Sequence, residues 1–155
     1  MANLPTLLTT EFDSLVEIGD LAGAALAIAE GVRAGLAEAL FLSSTISSSA
    51  EPLSDFEKRS LEQVCKSASL GYAPAQFRLG CYLRFGDFLD KDVVRAVDLF
   101  RKSAITGFPP AMYEYGLALL HGEGAEREPA EGMRWIRRSA EEGDAAAVEF
   151  LAGVA

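Results

Sequence analysis

From Pro74 onward, apolar residues recur every fourth position at Ala75, Leu79 and Leu83. That spacing marks one face of an α-helix. Pro74 suits a first turn, where its missing N–H has no intrahelical partner, and Gly86 suits a helix end. A second stripe, Val93, Ala96, Val97, Phe100 and Ala104, follows Asp90 and Asp92, either of which can cap the helix, and Gly107 closes it. The same layout predicts helices over 110–121, 129–142 and 145–152. Upstream, Thr10–Ile18 and Leu21–Ala29 read as helices separated by Gly19-Asp20, and Ser54-Asp55-Phe56-Glu57 reads as a capping box opening another. Ser43 to Ser49 is Ser-rich and reads as loop or frayed helix. Nothing alternates at period two, so no strand is expected.

The helices come in a fixed register. Lys66-Ser67-Ala68-Ser69-Leu70-Gly71, Lys102-Ser103-Ala104-Ile105-Thr106-Gly107 and Arg138-Ser139-Ala140-Glu141-Glu142-Gly143 are spaced 36 residues apart. Ala75, Ala111 and Ala147 share a column, as do Leu79, Tyr115 and Leu151, then Gly80, Gly116 and Ala152. Leu99 pairs with Trp135. An internal repeat of this length signals stacked supersecondary units. Gly80 and Gly116 fall in mid-helix, where Gly costs about 1 kcal/mol relative to Ala. Its recurrence at one register predicts close helix–helix contact there.

These residues resemble the Sel-one-like repeat (SLR), an αα-hairpin related to the tetratricopeptide repeat. The resemblance rests on Ala75-x-x-x-Leu79-Gly80, Gly86, Asp92, Arg95-Ala96 and Lys102-Ser103-Ala104-x-x-Gly107. It rests equally on Ala111-x-x-x-Tyr115-Gly116, Gly122-Glu123-Gly124, Trp135 and Arg138-Ser139-Ala140-x-x-Gly143. The family's Tyr column holds Leu83 and Leu119 here, and its Lys-Ala pair becomes Glu131-Gly132. The implied fold is all-α, a right-handed αα superhelix (solenoid) with a diverged N-terminal helical cap, forming one domain over 1–155. Within it, residues 1–34 are read as N-terminal helices, 35–70 as a degenerate repeat, 71–106 and 107–142 as repeats, and 143–155 as a C-terminal capping helix. Gly35, Ala39 and Phe41 lie 36 before Gly71, Ala75 and Phe77, but Ser44 stands in the Gly80 column.

Charge changes the picture by exclusion. The 155 residues carry 14 Lys+Arg, 23 Asp+Glu and one His, a formal net charge of −9. Nucleic acid and anionic lipid both call for a basic surface, so neither is an expected partner. One His rules out sites needing several His ligands, and no cofactor motif occurs, so no metal and no cofactor are expected. The longest apolar run, Leu21–Ala29, falls short of the roughly 20 residues of a membrane span. The N-terminus lacks the basic start of a secretory signal. A cytoplasmic location is expected, with Cys65 and Cys81 as thiols.

In solenoids of this kind the first helices of successive hairpins line a concave binding face. The resemblance places Phe77, Cys81, Arg84 and Phe85 there, then Tyr113, Leu117, Leu120 and His121. Aromatic residues and Arg are the usual anchors of interfaces, although Phe77 and Tyr113 could equally pack against the preceding hairpin. Three such helices offer roughly 400–500 Å² of face. A stable interface takes about 800 Å² per partner, so the groove suits a peptide or a protruding loop.

The function expected is a protein–protein interaction module, a small adaptor binding a partner protein or peptide of basic character. A second reading is an immunity or inhibitor protein neutralising a bacterial toxin or secreted effector, since short repeat proteins of this type occur beside effector genes. A third is an enzyme using Cys81 and His121, but a Cys–His dyad wants an orienting third group and none is visible. No catalytic residue is assigned. Some relatives are disulfide-rich and bind penicillin-like ligands, but this chain lacks their cysteine pair in each repeat.

Overall fold

The computed structural model describes residues 6–47 and 50–153. Among the described residues all regular structure is α-helical, in nine helices: α1 (Leu7–Glu17), α2 (Leu21–Ala34), α3 (Ala37–Ser43), α4 (Leu53–Ser69), α5 (Ala73–Phe85), α6 (Val93–Ile105), α7 (Pro109–His121), α8 (Pro129–Glu141) and α9 (Ala145–Gly153). The chain divides into two compact units, with the boundary between Ala75 and Gln76 in the first turn of α5.

The N-terminal unit is built on α1–α4. Phe12, Ala24, Ile28, Ala39 and Leu42 form its core, covered by Leu8, Leu15, Val16, Val32, Phe41 and Ile46. α1 starts at Leu7, a turn earlier than the sequence pattern suggests, because the Thr6 hydroxyl accepts from Thr9 N at 3.3 Å and caps it. Thr6 and Thr9 hydroxyls also donate to the Glu38 carboxylate, tying α1 to α3. α2 runs past Ala29 to Ala34 and stops where Gly35 turns left-handed at φ +71°.

The capping box expected at Ser54 does not form. α4 starts at Leu53, because the Pro52 carbonyl already accepts from Asp55 N and Phe56 N, both at 3.0 Å. This puts Ser54 inside the first turn. α3 has seven residues where α5 and α7 have thirteen. Its end has a local cause: the Ser44 and Thr45 hydroxyls donate to the carbonyls of Phe41 (2.6 Å) and Leu42 (2.7 Å), offering the backbone an alternative to another helical turn. Ser48 and Ser49 lie outside the described residues.

In the C-terminal unit, Ala104, Ala111 and Met112 are fully buried beneath Phe77, Phe108, Tyr115 and Trp135. Asp92 caps α6, accepting from Arg95 N at 3.0 Å. The mid-helix glycines sit at helix crossings. A methyl on Gly80 would stand 2.6 Å from Phe100 Cε1. One on Gly116 would stand 2.8 Å from the Gly132 carbonyl oxygen and 2.7 Å from Ile136 Cγ1. At Gly116–Gly132, α7 and α8 therefore touch backbone to backbone.

The recurring serine has one task in both units. Ser139 donates to the Pro109 carbonyl at 2.6 Å, and Ser67 to the Ala37 carbonyl at 2.6 Å. Both serines are wholly buried, and each ties a second helix to the first residue of its hairpin partner. The α3–α4 hairpin thus carries the same clasp as α7–α8, despite its shortened first helix.

Candidate partner-binding face

Side-chain contacts link three first helices, α5 to α7 and α7 to α9. Arg84 on α5 pairs with Glu114 on α7, and its Nη2 lies 3.4 Å from Glu123 Oε2 in the turn after α7. Tyr113 on α7 meets Phe150 on α9 edge to face, with ring centres 6.1 Å apart. A hollow of about 400 Å³ opens beside that pair, lined by Tyr113, Ala146, Glu149, Phe150 and Gly153. The Tyr113 phenol is held above its ordinary pKa by partial burial first, then by the negative charges of Glu114, Asp144 and Glu149. The hollow is lined by two aromatic rings, two small residues and one carboxylate, that of Glu149.

The residues singled out from sequence meet different fates. Phe77 faces inward: it packs on Ala104, Ala111 and Met112, with its ring 5.5 Å from Phe108 and 5.7 Å from Phe100. It is a packing residue. Tyr113, in the same repeat column, stands at the hollow. Arg84 spends its charge on Glu114 and Glu123 and lies 5.8 Å from the Phe85 ring centre, so it braces α5 against α7. Phe85, the last residue of α5, is 68 % exposed.

Leu117 and Leu120 are half-buried along α7, and His121 ends that helix exposed. It stands about 12 Å along the axis from Tyr113. Cys81 is half-buried, and its thiol is pushed up to about 11, chiefly by burial and then by Glu114, with Arg84 and Arg78 opposing. A thiol so placed stays protonated at neutral pH, the reverse of an activated nucleophile. Neither Cys65 nor Cys81 is joined in a disulfide.

Phe150, Glu149 and Glu114 escaped the sequence reading, which took α9 only as a cap. The register held the signal: Glu149 is the next member of the column Phe77–Tyr113, and Glu114 and Phe150 continue the column that starts at Arg78.

The model of the Sel1 repeat matches residues 73–105 and 109–144. The chain carries Sel1 repeats. Solved structures agree on the fold. A Sel1 repeat protein from Oxalobacter formigenes superposes with a TM-score of 0.73 at 22 % identity, over 83 % of this chain and 96 % of that one. A protective antigen of uropathogenic Escherichia coli displaying an SLR fold gives 0.66 at 23 % identity, over 77 % of this chain but 26 % of that longer one. Cysteine-rich protein B of Helicobacter pylori gives 0.61 at 12 % identity, over 94 % and 97 %. No curated protein matches the sequence. The fold is therefore an all-α solenoid of Sel1 repeats, and Sel1 repeats are generally protein-interaction modules. No described helix is long and apolar enough to cross a membrane.

Proposed function

We propose that the chain is a cytoplasmic, non-catalytic adaptor that binds an extended segment of a partner protein along α5, α7 and α9. An apolar side chain of that segment anchors in the Tyr113–Phe150 hollow, and a neighbouring Lys or Arg meets Glu149. The observation that carries this reading is the hollow itself: two aromatic rings at a helix–helix seam, open to solvent, with Glu149 in the lining. Aromatic anchors that become fully desolvated in the complex dominate interface energies. The Glu149 and Asp144 carboxylates beside Tyr113 and the chain's net charge of −9 favour a basic occupant through steering. The Arg84–Glu114 pair ties α5 to α7 along this surface.

The test is affinity capture from the native host, comparing wild type with Tyr113→Ala/Phe150→Ala. A partner held through this hollow is lost from the double variant, and its purified affinity falls by roughly thirtyfold or more, the scale of an interface hot spot. Glu149→Lys weakens the same partner and flattens its salt dependence. A folded double variant that retains the partner at unchanged affinity places the binding surface elsewhere.

A further inference from the structure

The N-terminal unit holds a second concavity, unrelated to the α5–α7–α9 face. It measures about 720 Å³ and lies among α2, α4 and the segment after α3. Its origin can be read from the repeat. α3 stops six residues short of the length of α5 and α7. Six residues of helix are about 9 Å long. The opening lies just past the C-terminal end of α3, where Ser43, Ile46 and Ser47 line it.

Two column comparisons support this origin. Leu21 and Ala25, on the wall of the opening, stand 72 residues before Val93 and Val97. In the C-terminal unit those valines are covered by the turn at Gly124, where a methyl would lie 3.0 Å from Val93 Cγ1 and 2.9 Å from Val97 Cγ2. Leu21 and Ala25 are exposed instead. Ser43 and Gln63 stand 72 residues before Tyr115 and Trp135, whose rings pack 5.6 Å apart. Here the two large rings are replaced by a small polar pair, with Gln63 Nε2 donating to Ser43 Oγ at 3.1 Å.

The polar end is neutral and already organised. All five Arg59 N–H groups are engaged: Nε and Nη2 with the Glu51 carboxylate (2.7 Å each), Nη2 also with the Ile46 carbonyl (3.0 Å), and Nη1 with the Ser43 carbonyl and Gln63 Oε1 (3.0 Å each). Arg59 is a latch that holds the segment after α3 against α4, with no donor left over for an anion. The remaining wall is Ala22, Val32, Ile46 and Ser47. Volumes of 300–1,000 Å³ with apolar walls and a few fixed polar groups are those of small-molecule sites.

We propose that this opening binds a small neutral amphiphile, an aliphatic chain ending in a hydroxyl or carbonyl. The chain lies on Leu21, Ala25 and Ile46, and its polar end meets Ser43 and Gln63. The probe is Nile red, a neutral dye whose emission shifts to the blue in apolar surroundings, titrated into the full chain and then competed with 1-decanol or decanoate. Wild type takes up one dye per chain. 1-Decanol displaces it at least tenfold more readily than decanoate does, because the Glu51-neutralised guanidinium offers an anion nothing. Ala25→Trp and, independently, Ala22→Trp place a large ring in the opening from exposed positions and weaken dye binding at least tenfold, with helix content unchanged. The proposal is overturned if folded wild type takes up no dye, if both folded tryptophan variants bind it as wild type does, or if decanoate competes as well as 1-decanol.

Discussion

Gly116→Ala puts the repeat's central contact to a quantitative test. In an isolated helix the change stabilises by about 1 kcal/mol. In this hairpin the added methyl lies 2.8 Å from the Gly132 carbonyl oxygen, 2.7 Å from Ile136 Cγ1 and 3.1 Å from Ile136 N. Two of those three atoms are backbone and cannot rotate away. The third belongs to a β-branched, wholly buried side chain with essentially one helical rotamer. Ordinary contact therefore returns only if α7 and α8 part by about 0.7 Å, a gap that forfeits a quarter to a half of each dispersion contact across the seam. Overpacking at the upper end of its usual range, about 3 kcal/mol, less the helical gain, leaves a net loss of about 2 kcal/mol. For a chain of this size that lowers Tm by roughly 4–8 °C. The assay is thermal and denaturant unfolding followed by circular dichroism, with Gly153→Ala as control, since a methyl there meets nothing within 4 Å. Gly80→Ala loses less, because its nearest obstacle is the Phe100 ring and the nearest backbone atom, the Ala96 oxygen, lies 3.2 Å away. Gly116→Ala/Gly132→Ala falls short of additive, because one separation relieves both methyls. A Gly116→Ala protein as stable as wild type refutes the backbone-contact reasoning.

Four further outcomes follow from the geometry. Ser139→Ala and Ser67→Ala each lower unfolding free energy by roughly 1 kcal/mol, measured by urea denaturation, because each removes the buried hydroxyl's hydrogen bond to the first carbonyl of its partner helix. The Cys81 thiol, pushed from 9.0 to about 11, carries about a hundredfold less thiolate than an ordinary thiol at pH 7.5. Alkylation followed by mass spectrometry then shows a rate rising about tenfold per pH unit toward 11, and the stability held by the neutral thiol is full below pH 9 and lost between 9 and 11. Phe88 and Gly124 share a column and a left-handed backbone, φ 61° and 73°. Phe88 is 56 % exposed and rests on Tyr82, so Phe88→Gly trades relief of strain against a ring contact and shifts Tm by less than about 2 °C. Gly124→Ala aims its methyl 2.7 Å from the Val93 carbonyl and costs more than about 2 kcal/mol by the same measurement.

The repeat register made the hairpins legible because each column does one physical job. Small residues at 80 and 116 let helices touch, and serines at 67 and 139 clasp them. A column does not reveal what a neighbouring segment supplies. The shortened α3 was legible in part: the Ser-rich stretch Ser43 to Ser49 reads as loop or frayed helix, and the Ser44 and Thr45 hydroxyls end the helix there, while the opening this leaves beside α2 and α4 has no signature in any one column. The binding face shows the same effect. Phe77 and Tyr113 leave their helices in the same direction, yet one is core and the other lines a hollow. The difference lies in their partners shifted by 36 residues: Phe77 is covered by Phe108 and Phe100, whose counterparts are Asp144 and Ile136. Replacing an aromatic ring by a carboxylate removes the cover, leaves Tyr113 beside a negative charge, and admits Phe150 from α9 along one edge only. A site in a repeat protein is therefore encoded in pairs of columns, at the point where one member keeps its ring and the other has lost it.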